Sequence, residues 1–261
     1  MSILRALVLC LAMTASLAHA QVVELRVAFE DKDTYDHTGA GTAIPDNPGV
    51  AVEMVAMLPS RVPRLKIQFS RKPWARCLAE LEAGAVDAVF SSSFKPERTK
   101  MGVYPMRDGK DDRRFRIDTK TYSLYRLIDS PLHWDGKRFS FPPRLVAMRG
   151  YAIVDDLRKM DIQVNEISST EDAFRMLLAG RADGLAQLSD VGDYVLRKNP
   201  EFARIVKVSP PLASKDYYLQ FSHQFQQKYP ELVTEAWKAL ADIRQGEHER
   251  LTAKYLKQYA D

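Results

Sequence analysis

Trp74-Ala75-Arg76-Cys77-Leu78-Ala79-Glu80-Leu81-Glu82-Ala83-Gly84-Ala85-Val86-Asp87-Ala88-Val89 returns later in the chain as Ala173-Phe174-Arg175-Met176-Leu177-Leu178-Ala179-Gly180-Arg181-Ala182-Asp183-Gly184-Leu185-Ala186. In each copy apolar residues recur at helical spacing, a glycine able to take positive φ stops the helix, and an aspartate opens a short apolar run that reads as a buried strand. One helix–strand unit used twice predicts two similar α/β lobes. A cleft between lobes is where a ligand can sit.

Working outward from the first copy, alternation over residues 25–29 predicts a strand. A polar loop with Tyr35, Gly39, Gly41, Pro45 and Pro48 then leads into a helix whose face is Val52, Val55, Ala56 and Leu58. Residues 65–69 form a second strand, Pro73 suits the first turn of the repeated helix, and residues 86–90 run as a third strand into Ser91-Ser92-Ser93. The charged stretch 107–120 has no apolar period and reads as a solvated loop, followed by an extended crossing over 121–127. A second βα series comprises a strand at 145–148, a helix at 153–159, a strand at 162–167, and a helix capped by Thr170 with Phe174, Leu177 and Leu178 inward. Pro210 and Pro211 punctuate the way back to a return strand at 217–221, and the chain finishes in helices. One helical face carries Leu232, Ala236, Leu240 and Ile243, another Leu251, Tyr255 and Leu256. The expected architecture is α/β, with two mixed-sheet lobes joined by a two-strand hinge. Residues 21–122 and 213–261 build the first lobe, and 123–212 the second.

Residues 1–20 read as a cleaved secretory signal, with Arg5 as the positive start, an apolar run over 6–13, and Ala18-His19-Ala20 before the cut at Gln21. Cys10 follows bulky Leu9 inside the apolar run, so a lipid-anchored reading is not favoured. The mature chain is expected in the periplasm. No later stretch approaches the about 18 uninterrupted apolar residues that a membrane span requires. Cys77 is then the one remaining thiol, on an apolar helix face, which predicts an inert buried side chain and no disulfide. The net charge of +4 falls to +3 without Arg5 and is evenly spread, which argues against nucleic acid. His37, His133, His223 and His248 are scattered, with neither zinc-ligand spacing nor a cysteine partner. Since the chain also lacks a Gly-rich phosphate loop and a Ser-centred elbow, no metal, cofactor or catalytic set is expected.

Several segments together resemble the type II periplasmic solute-binding proteins, specifically the polar amino-acid-binding family (extracellular solute-binding protein family 3) of ABC importers. They are Pro48-Gly49-Val50-Ala51-Val52-Glu53, the run 81–90 with its serines and Pro96-Glu97-Arg98, Leu178-Ala179-Gly180-Arg181-Ala182-Asp183, and Tyr229-Pro230-Glu231-Leu232 with Lys254-Tyr255-Leu256. The resemblance covers nearly the whole mature chain. It implies lobes that close over a small ligand.

Position by position, the resemblance implies that Arg98 with Ser91, Ser92 and Ser93 holds a ligand anion, as a guanidinium fork can. The segment 87–98 is one residue shorter than usual, so a surface arginine is the alternative. Tyr35 and Trp74 correspond to ligand-stacking positions, with core packing the alternative for Trp74, and Glu30 matches a position that reaches the ligand's side chain or else is a solvated loop carboxylate. In the second lobe the family's Gly-Thr-Thr is replaced by Gly150-Tyr151-Ala152 after Arg149, and Leu188 stands where an aspartate would pair with the ligand's ammonium. Asp190 either substitutes for it or caps a helix. An ordinary α-amino acid is therefore not the expected ligand, and Arg149 and Tyr151 suggest a cationic, aromatic second wall for another small polar or anionic solute. The expected function is non-enzymatic capture of that solute by a monomer for delivery to an ABC permease. One alternative is a sensor partnering a signalling membrane protein. Another is an enzyme like the cyclohexadienyl dehydratases, for which Glu30, Glu171 and Asp190 are the candidate acids.

Overall fold

The two copies of the repeated unit form the same structure. The computed structural model of the chain describes residues 21–260, with side chains to residue 257, so the signal-peptide reading, including Arg5, Cys10 and Ala18-His19-Ala20, falls outside the described residues. In the first copy Gly84 takes φ 70°, its N–H bonds the Leu81 carbonyl at 3.0 Å, and Ala85 N bonds Glu80 O at 2.9 Å. Gly180 does the same at φ 66°, with bonds of 3.0 Å to Leu177 O and, from Arg181 N, 3.0 Å to Met176 O. These are matching left-handed helix caps, the geometry that favours glycine. The aspartates match as well. Asp87 Oδ2 accepts Arg26 N at 2.8 Å and pairs with its guanidinium, and Asp183 Oδ2 accepts Arg144 N at 2.7 Å and pairs with that guanidinium.

The first half consists of β1 (Val23–Glu30), α1 (Val50–Ala56), the single turn α2 (Leu58–Arg61), β2 (Leu65–Lys72), α3 (Trp74–Glu82) and β3 (Ala88–Ser93). A 3-10 turn (Pro96–Lys100) and a small hairpin, β4 (Met106–Arg107) with β5 (Lys110–Asp111), lead to β6 (Asp118–Leu127). The second half contains β7 (Arg144–Met148), α4 (Ala152–Arg158), β8 (Gln163–Ile167), α5 (Thr170–Leu178), β9 (Gly184–Leu188) and α6 (Ser189–Lys198). The chain returns along β10 (Ile205–Phe221) and ends in α7 (His223–Lys228) and α8 (Pro230–Ala260). One curled eight-stranded sheet joins everything in the order β2-β1-β3-β10-β6-β9-β7-β8. Each half has three parallel strands with the first in the middle, and the antiparallel pair β6·β10 links the halves. That ladder shifts register between Val208 and Ala213, where Pro210 and Pro211 supply no N–H.

Packing follows the apolar pattern. Leu25, Val27, Val52, Val55, Cys77, Leu81, Val89 and Phe90 fill the first half, and Phe174, Leu177, Leu185 and Phe202 the second. Cys77 is fully buried, and burial pushes its thiol up to about 12. Four details differ from the sequence reading. Ser169, not Thr170, caps α5, its Oγ accepting Asp172 N at 3.2 Å. The stretch 107–120 is held rather than free, because Asp111 accepts the Tyr218 hydroxyl at 2.6 Å and Asp216 of β10 pairs with Arg113 at 2.5 Å. The return strand begins at Ile205, pairing with β6 before it reaches the first half. The terminal residues form one long helix after α7, with Leu251 and Tyr255 buried against the first half and Leu256 exposed.

The loop 31–49 carries side chains toward the space between the halves and is shaped by one arginine. Arg71, at the end of β2, has a fully buried side chain that donates to the carbonyls of Thr38 (2.8 Å), Lys32 (3.0 Å) and Gly39, and lies 3.4 Å from Asp31. Gly49 closes this loop at φ 111°, where a Cβ would stand 2.3 Å from the Asp36 carbonyl. Gly49→Ala is expected to lower stability by about 2–4 kcal/mol, strain and overlap together. Gly41→Ala, at φ 78° with open space around it, should cost only about 1 kcal/mol. Urea unfolding of both variants checks the difference.

Candidate functional site

The carboxyl ends of β1, β3 and β9 point to the same interlobe space, as parallel strands in α/β sheets do at ligand sites. There a cavity of about 460 Å³, counted with its mouth, is lined from both lobes and from the hinge strands. Its first-lobe wall comprises Glu30, Lys32, Thr34, Asp36 and His37 from the end of β1 and the loop, Trp74 from the start of α3, Ser91 and Ser93 from β3, and Arg98 from the 3-10 turn. Lys120 and Tyr122 of β6 and Tyr217 of β10 form the floor, and Tyr151, Leu188, Asp190 and Val191 the opposite wall.

Arg98 is 1 % exposed. Its Nη1 donates to the carbonyl and the hydroxyl of Ser93, both at 2.8 Å, while Nη2 reaches across the cleft to the Gly150 carbonyl at 2.6 Å. The guanidinium carbon lies 5.4 Å from the centre of the Trp74 ring, a cation–π contact, and Nε has no hydrogen-bond partner among the described residues. Opposite Trp74, Tyr151 donates its hydroxyl to Glu30 Oε2 at 2.8 Å and accepts from Lys32 Nζ at 2.7 Å. Further bonds tie the lobes outside the cavity, including Lys95 to Asp155 and Lys215 to Asp156 at 2.5 Å. The cleft is in a closed arrangement.

Enclosure shifts the titrations. Burial raises the Glu30 carboxyl above its ordinary value, the pull of Lys32 notwithstanding, and burial lowers Lys32 although Glu30 and Asp190 oppose it. His37, packed between Phe29 and Phe90, is pushed down to about 3 by burial and by neighbouring Lys120 and Arg71, so its ring is neutral at physiological pH. Its Nε2 stands 3.3 Å from Ser91 Oγ, and Ser91 has φ 53°, unusual for a serine. Tyr122 and Tyr217 share a 2.8 Å hydrogen bond, and burial pushes the Tyr217 hydroxyl up to about 12.

Of the residues singled out in the sequence, Glu30, Trp74, Ser91, Ser93, Arg98, Tyr151 and Asp190 line this cavity together. Three do not. Ser92 is buried on the other face of β3, bonded to Tyr104 and Gln220, because successive strand residues point to opposite faces. Tyr35 lies half-buried behind the wall, packed against the core. Arg149 is exposed and outside the lining, so the cations of the cleft are Arg98, Lys32 and Lys120 instead. Glu171, weighed as an acid, is an exposed residue of α5 paired with Arg175. Lys32, Asp36, His37, Lys120, Tyr122 and Tyr217 escape sequence reading. The alternation of Lys120, Tyr122 and Leu124 along one strand is the available signal for two of them.

No protein-family model matches this sequence, and no curated protein matches it significantly. Solved structures do. A histidine kinase sensor domain described as similar to periplasmic binding proteins is 20 % identical at TM-score 0.69, over 89 % of this chain and 96 % of that one. A mutant of ArgBP from T. maritima is 17 % identical at TM-score 0.69, over 90 % and 95 %. The GluR0 ligand-binding core from Nostoc punctiforme, solved with L-glutamate, is 15 % identical at TM-score 0.66, over 88 % and 98 %. At these identities the likeness establishes the fold, and the chain has the two-lobed architecture of the periplasmic binding proteins.

Proposed function

We propose that this chain is a non-enzymatic periplasmic receptor, exported by a cleaved signal, that encloses a small polar or anionic solute between its lobes and passes it to an ABC permease. The observation that carries this reading is Arg98. A guanidinium so deeply buried that donates only to neutral oxygens among the described residues leaves a positive charge at the cavity with no carboxylate in hydrogen-bond contact, the nearby Glu30 being bonded to Tyr151 instead, and a buried charge is costly unless compensated. An anion bound against Trp74 and Arg98, within reach of Lys32 and the Tyr151 hydroxyl, would supply that compensation. The lobe boundaries that go with this reading place the hinge near residues 122 and 213, on the two strands that cross between halves.

A second reading, a sensor that presents its closed form to a signalling membrane protein, draws support from the sensor-domain neighbour. Solute uptake lost in a deletion strain favours transport. Loss of a solute-dependent transcriptional response with uptake intact favours sensing.

Calorimetry and small-angle scattering of the monomeric mature protein against a panel of small carboxylates should reveal a solute that binds and compacts the particle, and a panel that does neither counts against the receptor. For the solute so found, Arg98→Met is expected to weaken binding at least about thirtyfold, the lower end of the 2–5 kcal/mol for removing a desolvated charge partner. Circular dichroism confirms that the variant is folded. Affinity should also decline as pH rises into the alkaline range. Lys32 loses its proton below the ordinary lysine value, and the attraction is present only while it is charged. Lys32→Arg should flatten that decline in a calorimetric pH series.

A further inference from the structure

Within the cleft, the ammonium of Lys120 sits in a cage. Its Nζ contacts Asp36 Oδ2, lies 3.2 Å from Asp190 Oδ2 and 3.5 Å from Asp118 Oδ2, and stands 5.2 Å from the centre of the Tyr35 ring. The side chains of Lys120 and Asp36 are 8 % and 5 % exposed. Asp36 belongs to the first lobe, Asp190 to the second, and Lys120 and Asp118 to hinge strand β6, so the cage draws on every part of the cleft. Three carboxylates around one ammonium, with an aromatic face beside them, is the chemistry of a site for an organic cation. The arrangement holds Lys120 well above its ordinary value, because the attraction of Asp190 and Asp36 outweighs the opposing effect of burial.

Here the cation belongs to the protein. We propose that Lys120 is a tethered occupant of the cleft's cation subsite, and that the solute is consequently an organic anion with no ammonium group. The remaining cavity groups agree. Each acid that lines the cavity accepts an internal donor, Asp36 and Asp190 from Lys120 and Glu30 from Tyr151. Among the described residues, the cations Arg98 and Lys32 donate only to carbonyl and hydroxyl oxygens. An incoming ammonium meets acceptors already taken, with apolar Leu188 and Val191 beside them, whereas an incoming carboxylate meets two cations whose hydrogen bonds go to neutral oxygens, Glu30 standing near both but bonded to Tyr151. A solute carrying an ammonium has to displace Lys120 or leave its own charge buried without a partner, and either weakens it against the amine-free analogue. The class of solute rests on the receptor reading, but the cage does not.

The test is chemical rescue. Lys120→Ala removes three carbons and the ammonium, which n-propylammonium restores as a free molecule. Folded K120A should show a saturable rise in Tm with n-propylammonium chloride, of about 3 °C or more, that equal concentrations of n-propanol or sodium chloride do not give and that the wild type lacks. If K120A is recovered unfolded, refolding from urea should become dependent on n-propylammonium. Absence of an ammonium-specific effect in both measurements overturns the cage. Selectivity is read with matched pairs, succinate against aspartate and glutarate against glutamate. The wild type should favour the amine-free member of a pair it binds at least tenfold, and a preference for the amino acid overturns the assignment of solute class. Rescue of K120A alongside a wild type that binds no solute supports the cage and overturns the receptor reading, so the two failures are distinguishable.

Discussion

Charge removed from water is the constraint around which this cleft is built. Arg98, Lys120, Glu30 and Asp36 stand where two lobes meet, and a charge buried there is costly without a partner at hydrogen-bond distance. The fold meets that requirement from three sources: the ends of parallel strands, the two hinge strands, and a loop gathered on its own buried cation. Arg71 gathers the carbonyls of the loop 31–49, and by ordering them it sets Asp36 against Lys120 and His37 against Ser91.

Repetition explains why the two walls are comparable but not equal. The αL glycine and the aspartate–arginine clasp recur in both halves, so each lobe delivers its third strand to the cleft in the same pose. From the last residues of that strand onward the two halves diverge. In the first lobe the chain runs on into Ser91, Ser93 and Arg98, all polar, and in the second into Leu188 and Val191, with Asp190 turned to Lys120. The first wall carries most of the charge, and the second supplies the tyrosine that joins Glu30 to Lys32.

Much of the fold is legible in the sequence because its signals are local. A helix face, a glycine stop and an aspartate at a strand start are each set within a few residues, and the repeat makes them mutually confirming. The site is legible only where it lies on those same elements, as with Trp74, Ser93, Arg98 and Tyr151. Ser92 has the same side chain as its neighbours, yet the strand's alternation turns it to the other face, and Arg149 adjoins the cleft through Gly150 and Tyr151 yet is exposed to solvent. Lys120 gives only a faint local sign, its place in the alternation with Tyr122 and Leu124. In sequence it belongs to a charged stretch that looks solvated, and its burial depends on Asp36 and Asp190, which lie 84 and 70 residues away along the chain. Long-range pairing of that kind leaves no mark on the local pattern.

The path of the chain through the sheet also governs the order in which it can be made. The last residues of strand β10, which pair with β3, and the long helix α8 belong to the first half, where Lys254 meets Glu53 across 201 residues of sequence. A ribosome therefore releases every strand of the second half's parallel set before the partner that completes the earlier half emerges. Until that last strand arrives, β3 keeps an unpaired edge. Contacts so remote in sequence close slowly, and in that interval the open edge of β3 is exposed to other chains.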